Sequence, residues 1–364
     1  MEVSLSFRWD HWLHRHTHAR SSRLCAFGLV VAAAALIASC GGSGSSPEST
    51  AASPAESTTT TAAKSSTTTP QAFTETSDIV YMTVNGVNLL MDVYTPAGEG
   101  PWPVVVAFHG VDSRGKDSQD NVPIAEGAAA EGMLVYVPSW IVWEPSPFPI
   151  TVDIFRGWTQ AANCAVAFAQ DSAAALGSDP DTTVVYGFSG GGGAALLATV
   201  EPSQTPIDGC ATDAVPEPVT GAVLGDAVYF LHNQDFDPPF AEDPVAMQAE
   251  VDALTNPSNW PDDLDTVFRL WVAEGGTNGR LFGDPADASS WLALRDPTGS
   301  IRADLERIGE LEDGEFSTVD AGKLLELRLS EAGFDVMLDV YPGGHTINNK
   351  VPELIAYVLE VAPR

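Results

Sequence analysis

Basic residues are scarce. Lysine and arginine total 17 in a chain of 364 residues, against 49 aspartates and glutamates, for a formal net charge of -32. Arg8, Arg15, Arg20 and Arg23 gather near the start, so the rest of the chain is more acidic still. Such a surface argues against nucleic acid and anionic membrane surfaces as partners, and reads as a well-solvated exterior. Long apolar runs are missing too. The run Leu24 to Ile37 falls short of the roughly 20 residues that a helix needs to cross a bilayer. No G-x-G-x-x-G with a distal acid occurs, and the body holds no histidine or cysteine cluster spaced for a metal. The expected cofactor and metal content is therefore none. No internal repeat appears. Histidine is sparse at seven residues, four of them before Arg20, which leaves His109, His232 and His345 for the body. Of four cysteines, Cys25 and Cys40 lie early, and Cys164 and Cys210 remain.

The beginning of the chain has the order of an export signal. Met1 to Arg23 is basic, the apolar run follows, and it ends in Ile37-Ala38-Ser39-Cys40-Gly41. Those last residues resemble the bacterial lipobox, where the leader is cut before a cysteine that is then lipid-modified. The resemblance implies that residues 1–39 are a lipoprotein signal peptide, with lipidation at Cys40. It also implies a protein exported to the outer face of the cell membrane and touching it through a lipid anchor only. An ordinary secretory cut or an uncleaved anchor are the alternatives. Residues 40–72 are Gly, Ser, Thr, Ala and Pro almost throughout and have little to bury, as a disordered tether would. If the chain is exported, Cys164 and Cys210 are expected to form a disulfide; a pair of buried free thiols is the alternative.

Residues 73–364 form the body. Asp78 to Val84 and Asn88 to Tyr94 flank an Asn85-Gly86 turn and predict an antiparallel hairpin. Pro103 to Phe108 is a continuous apolar run, as in a strand covered on both faces. A helix through Ile124 to Glu131, a strand Met133 to Val137 and a helix Trp158 to Leu176 follow. Further strands are expected at Thr182–Tyr186, Thr220–Leu224, Val267–Ala273 and Val336–Tyr341, with late helices at Lys323–Ala332 and Val351–Val361. Strands alternating with helices predict a mostly parallel sheet with helices on both faces, an α/β class fold.

The chemistry centres on Val184 to Leu197. There a β-branched strand runs into Gly187-Phe188-Ser189-Gly190-Gly191 and then into a helix of small residues. This is the pattern of a nucleophile elbow, in which a serine tops a sharp strand-to-helix turn with its hydroxyl exposed. A Gly-rich turn that merely packs helix on strand, or holds a phosphate, is the alternative. A serine needs a base, and His345 sits in a Gly-Gly-His loop after the last strand. Together, the opening hairpin, the strand end Phe108-His109-Gly110, the elbow and the late Gly-Gly-His resemble the α/β-hydrolases, nearest the secreted esterase and lipase-like branch. The resemblance spans roughly Ser77 to the C-terminus.

That resemblance implies Ser189 as nucleophile, His345 as base, and the backbone N–H groups of Val111 and Gly190 as the oxyanion hole. His109 is then a structural residue of the oxyanion loop. The pattern departs from the family at the acid: after the seventh strand, Glu274-Gly275-Gly276-Thr277-Asn278 puts an amide where an aspartate is usual. Asp226 and Glu274 are the two candidate acids, nearly level, with Asp284 behind them. His232 reads as surface or pocket rim. Residues 279–320 read as an insertion, and Trp140, Trp143, Phe148, Phe155 and Trp158 either shape a pocket or simply pack. Cys164 and Cys210 fall on elements flanking the nucleophile, which a bridge would staple together. The expectation is a serine hydrolase of the cell envelope acting on a small-molecule ester or acyl substrate. A peptidase or amidase of the same fold, or a non-catalytic binding protein that keeps a degenerate hydrolase fold, are its rivals. A dienelactone-hydrolase-like enzyme fits less well, because the elbow carries serine and not cysteine.

Overall fold

In the computed structural model the described residues are 72–362, apart from 112–114, 142–148, 228–241, 262–263, 275–299, 310–317 and 346–349. The chain divides into two units, Met1–Thr67 and Thr68–Arg364, and every described residue belongs to the second. The expectations for the leader, Cys40, the tether, Trp143, Phe148, His232, Asn278 and Asp284 lie outside the described residues.

Eight strands make one sheet: β1 (Phe73–Val84), β2 (Val87–Pro96), β3 (Trp102–Phe108), β4 (Leu134–Pro138), β5 (Ser178–Phe188), β6 (Gly221–Gly225), β7 (Val267–Ala273) and β8 (Val336–Tyr341). Their order is β1-β2-β4-β3-β5-β6-β7-β8. The pairs β1·β2 and β2·β4 are antiparallel, and every pair from β4 through to β8 is parallel. The opening turn has Asn85 at φ 51 and Gly86 at φ 81. Two successive left-handed residues match the right-handed twist of a two-residue hairpin, and Asn and Gly tolerate them best.

Helices are α1 (Val122–Ala130), α2 (Val152–Ala173), α3 (Gly190–Val200), α4 (Pro244–Leu254), α5 (Ser300–Ile308), α6 (Thr318–Glu331) and α7 (Val351–Val361). Strand alternation divides the core in two. Val104, Val106 and Phe108 of β3 pack with Phe155, Ala161, Ala165, Leu196 and Leu324 on one face. Val105 and Ala107 pack with Ile124, Ala128, Leu354 and Tyr357 on the other. Both faces of the central parallel strands β3 to β6 are thus largely dry, which is why their sequences read as unbroken apolar runs.

Besides earlier starts for β1 at Phe73, β5 at Ser178 and α6 at Thr318, three differences from expectation stand out. Helix α2 starts at Val152, not Trp158, because the Thr151 side chain accepts a hydrogen bond from the Ile154 N–H at 3.2 Å and caps the first turn. Helix α4 has no counterpart among the expected elements, although Asp243-Pro244 carries its start signal: the Asp243 carboxylate accepts from the N–H groups of Val245 and Ala246. Strand β8 reads as core in the sequence but is the sheet edge, with Met337 53% and Val340 38% exposed. Its Leu338 N–H donates to the Glu326 side chain at 3.2 Å, so a charge covers part of the open edge. The described aromatics Trp140, Phe155 and Trp158 belong to the core, Trp140 and Trp158 meeting edge to face at 5.9 Å.

Cys164 of α2 and Cys210 are joined in a disulfide. Cys210 sits in a short segment that extends the sheet beside β1, with Thr83 N–H donating to the Gly209 carbonyl and Ala211 N–H to that of Tyr81, both at 2.8 Å. The bridge therefore ties the helix before the elbow strand to the chain after the elbow helix. With its ends 46 positions apart in sequence, the chain-entropy model puts its contribution at about 4 kcal/mol.

Candidate active site

Strand β5 ends at Phe188, and Ser189 follows at φ 55, ψ −125 before α3 begins. A side-chain-bearing residue in that region costs about 1–3 kcal/mol, so the surroundings must hold it there. The glycines do so by permitting contact: a Cβ on Gly187 would fall 2.0 Å from the Gly191 carbonyl oxygen, and one on Gly191 would fall 2.2 Å from that of Phe108. The Ser189 N–H donates to the Gly225 carbonyl at 3.0 Å. Its hydroxyl makes no capping bond to the helix it starts, although serine at such a position commonly does. Among the described residues the hydroxyl has no hydrogen-bond partner, His345 included, and the residue is only partly buried.

Gly190 opens α3, where the free N–H groups and the helix dipole favour negative charge. A Cβ on Gly190 would lie 3.4 Å from the Val111 backbone nitrogen and 2.4 Å from its Cγ1. The two amides expected to act together are thus neighbours, and only glycine allows the approach.

His345 stands in the loop after β8. Its Nδ1 is hydrogen-bonded to Asp226 Oδ2. A carboxylate can only accept, so Nδ1 carries the hydrogen and Nε2 of the neutral ring keeps its lone pair. The imidazole also lies against the Phe188 ring, centroids 4.5 Å apart, beside the residue that precedes Ser189. Asp226 follows β6 directly. It is fully buried and held at φ 41. Its N–H donates to the Trp271 carbonyl at 2.5 Å, and its Oδ1 accepts from the Ala273 N–H at 3.2 Å. Neighbouring β7 therefore aims the carboxylate. Its charge, after burial itself, helps push the Tyr341 hydroxyl up to about 12.

Glu274 does not share this contact. It is exposed at the end of β7, with its N–H donating to the Tyr341 carbonyl at 3.0 Å, and the imidazole N–H is already taken by Asp226. Of the two candidate acids, the structure sets Asp226 against His345. Sequence reasoning misses the Phe188–His345 stacking, since any residue satisfies the variable place in Gly-x-Ser.

His109 is wholly buried. Its Nδ1 donates to the Gly110 carbonyl at 2.8 Å, and its own carbonyl accepts from Trp140 Nε1 at 2.9 Å. Desolvation lowers its pKa to about 4, with the Gly110 bond and Asp120 opposing more weakly. The ring is consequently neutral across the physiological range. Unfolded histidine takes up its proton below about pH 6.5, so stability is lost as pH falls from there toward about 4. Between neutral pH and about pH 5 the loss should be about 2 kcal/mol. Denaturant unfolding of the native protein and of His109→Gln at both pH values checks this. Their stabilities should converge at the lower pH; a constant gap would mean that His109 is not held neutral.

A protein-family model, BD-FAE, matches residues 91–228, which includes β3 to β6 and the elbow. Among solved structures, a thermophilic esterase of the planctomycete Thermogutta terrifontis with propionate bound is similar at a TM-score of 0.54 and 17% identity, covering 81% of this chain and 97% of that one. A truncated carbohydrate esterase from gut microbiota is similar at 0.52 and 15%, covering 80% and 98%. No curated protein matches the sequence.

Proposed function

We propose that this chain, which has the α/β-hydrolase fold, is a serine hydrolase that cleaves carboxylic esters through an acyl-enzyme. The observation that carries the reading is one constellation: an uncommitted, strained Ser189, and a His345 whose Nδ1 is bonded to buried Asp226 beside the elbow.

In this reading the Ser189 oxygen attacks the acyl carbon while His345 Nε2 takes its proton. Negative charge gathers on the carbonyl oxygen, where the N–H groups of Val111 and Gly190 stabilise it; removing one such donor typically costs roughly 100- to 1000-fold in turnover. Asp226 holds the ring in the tautomer that can accept, and stabilises the imidazolium once formed. The same proton then goes to the departing alkoxide, leaving the acyl group on Ser189. Water, losing a proton to His345, attacks that ester, and the proton then passes to the Ser189 oxygen as the acid leaves. Beyond the substrate and water, every step uses groups of this chain.

Export belongs to the same proposal. The lipobox-like residues ending at Cys40, followed by a Ser/Thr-rich stretch, support a hydrolase held by a lipid on the outer face of the membrane. A disulfide between Cys164 and Cys210 suits that oxidising location.

A fluorophosphonate probe tests the reading. It should label the folded protein, with the modified peptide mapping to Ser189, and the protein should hydrolyse short-chain p-nitrophenyl esters that protect it from the probe. A folded protein that stays unlabelled and inert would instead be a binding protein on a hydrolase scaffold. Faster turnover of peptide or amide substrates than of matched esters would point to a peptidase.

A further inference from the structure

Between β3 and α1 two stretches are described, 109–111, which carries Val111, and 115–121, and both are tied to one anchor. In the first, the His109 carbonyl accepts from Trp140 Nε1 at 2.9 Å. In the second, the Lys116 N–H donates to Ser139 Oγ at 3.0 Å. Ser139 and Trp140 are adjacent residues just after β4. That dipeptide is itself fixed to the antiparallel part of the sheet, with the Ser139 N–H donating to the Leu90 carbonyl and its own carbonyl accepting from the Tyr81 hydroxyl at 2.9 Å. Gly115, at φ +126, lets the chain turn against Ser139: a Cβ there would fall 2.9 Å from Oγ.

The Lys116 side chain adds a second attachment. It is 9% exposed, and its ammonium meets Asp92 of β2 at 3.0 Å, Asp117 at 3.0 Å and Asp78 of β1 at 3.1 Å. Three N–H donors thus find three carboxylates. Asp117 and Asp78 are exposed and contribute little, but the Asp92 side chain is only 3% exposed. Asp92 Oδ1 also accepts the Asp78 N–H at 2.9 Å, at a point where Asp78 stands at φ 61. Burial works against the ammonium, yet the carboxylate contacts outweigh it and hold its pKa above the ordinary value. A buried ion pair is a poor source of stability, because desolvation offsets its attraction; what it supplies is one permitted arrangement.

We infer that Lys116 and Asp92 are positioning residues for the oxyanion hole: their buried ion pair, with Ser139 and Trp140, holds the loop so that the Val111 N–H stays beside that of Gly190. The inference rests on the proposed hydrolase reading. An N–H displaced by about 1 Å still binds substrate but no longer meets the developing oxyanion, and misplacements of that size cost about 100-fold.

The test compares the native protein with Lys116→Met, Asp92→Asn and the double variant. In the double variant neither member of the pair is left as an uncompensated charge, and the introduced amide keeps an acceptor for the Asp78 N–H. On a short-chain p-nitrophenyl ester, kcat should fall about 10- to 100-fold with KM within about twofold. A trifluoromethyl ketone, whose adduct with Ser189 puts an oxyanion in the same place, should weaken by a similar factor. The double variant should keep the native melting temperature within a few degrees. Native kcat in the folded double variant overturns the inference, as does a fall in kcat accompanied by a raised KM and a lowered melting temperature, which marks a merely structural pair. A native protein that neither turns over esters nor labels at Ser189 overturns the hydrolase reading, and the clamp with it.

Discussion

Ser189→Ala is expected to lower kcat for ester hydrolysis by roughly 10⁴- to 10⁶-fold while leaving the melting temperature within a few degrees of native. The effect on activity is large because, in the proposed mechanism, the hydroxyl oxygen forms the acyl bond and no other group takes that part. The effect on stability is small for a reason visible at the elbow. The hydroxyl caps nothing, the Ser189 N–H bond to Gly225 is a backbone bond, and alanine meets the same strain at φ 55 as serine does. His345→Ala should cost a comparable factor, and the double variant hardly more than either single one, since the two side chains act on one proton. Steady-state kinetics on a p-nitrophenyl ester, with circular dichroism to confirm folding, checks all three. Retention of a tenth or more of native turnover by Ser189→Ala would place the nucleophile elsewhere.

Much of this arrangement is legible in the residues because local chemistry decides it. The elbow is readable from Gly187 to Gly191, where backbone clashes exclude side chains. The Asn85-Gly86 hairpin and the apolar strands β3, β6 and β7 are readable because their turn and burial demands are met within a few residues. The Cys164–Cys210 bridge follows once the flanking elements are placed together. What resisted reading depends on which strand lies beside which. Asp226 and Glu274 each follow an apolar strand, and nothing in either neighbourhood says that the β6 end faces the loop after β8. That distinction is made by the parallel β6·β7 pairing, which sends the Ala273 N–H to Asp226 and leaves Glu274 in solvent. The exposure of β8 resisted for the same reason: Val336 to Tyr341 has a core-like composition, but it ends the sheet.

The amide at Asn278 bears on this choice. If the chain works as proposed, the acid usual for α/β-hydrolases would follow β7, and with Asn278 at that place in the sequence the carboxylate has to come from another strand end. Asp226 meets the requirement because β6 adjoins both neighbours that matter. Its partner on one side, β5, carries Ser189, whose N–H reaches Gly225 at 3.0 Å, and its partner on the other, β7, supplies two backbone contacts to Asp226. The proposed nucleophile and acid are thus fixed to neighbouring strands of one sheet, and only the imidazole is held by a loop.

Asp226→Asn is accordingly expected to reduce kcat by about 10⁴-fold, and Glu274→Gln to leave it within about twofold of native. The introduced asparagine is close in shape to aspartate, so its Oδ1 can still accept the Ala273 N–H and the buried site stays filled. Its Nδ2, however, donates where the carboxylate accepted. The His345 Nδ1 must then present a lone pair, the hydrogen moves to Nε2, and the ring can no longer take the Ser189 proton. The imidazolium also loses the negative charge that stabilised it. Because the defect lies in the proton acceptor, KM should change little while kcat collapses, and fluorophosphonate labelling of Ser189 should slow in parallel. Glu274, exposed and bonded only through its backbone N–H, has no route to either effect. The opposite ranking, with Glu274→Gln crippled and Asp226→Asn near native, would require the imidazole to turn away from β6 in the working enzyme.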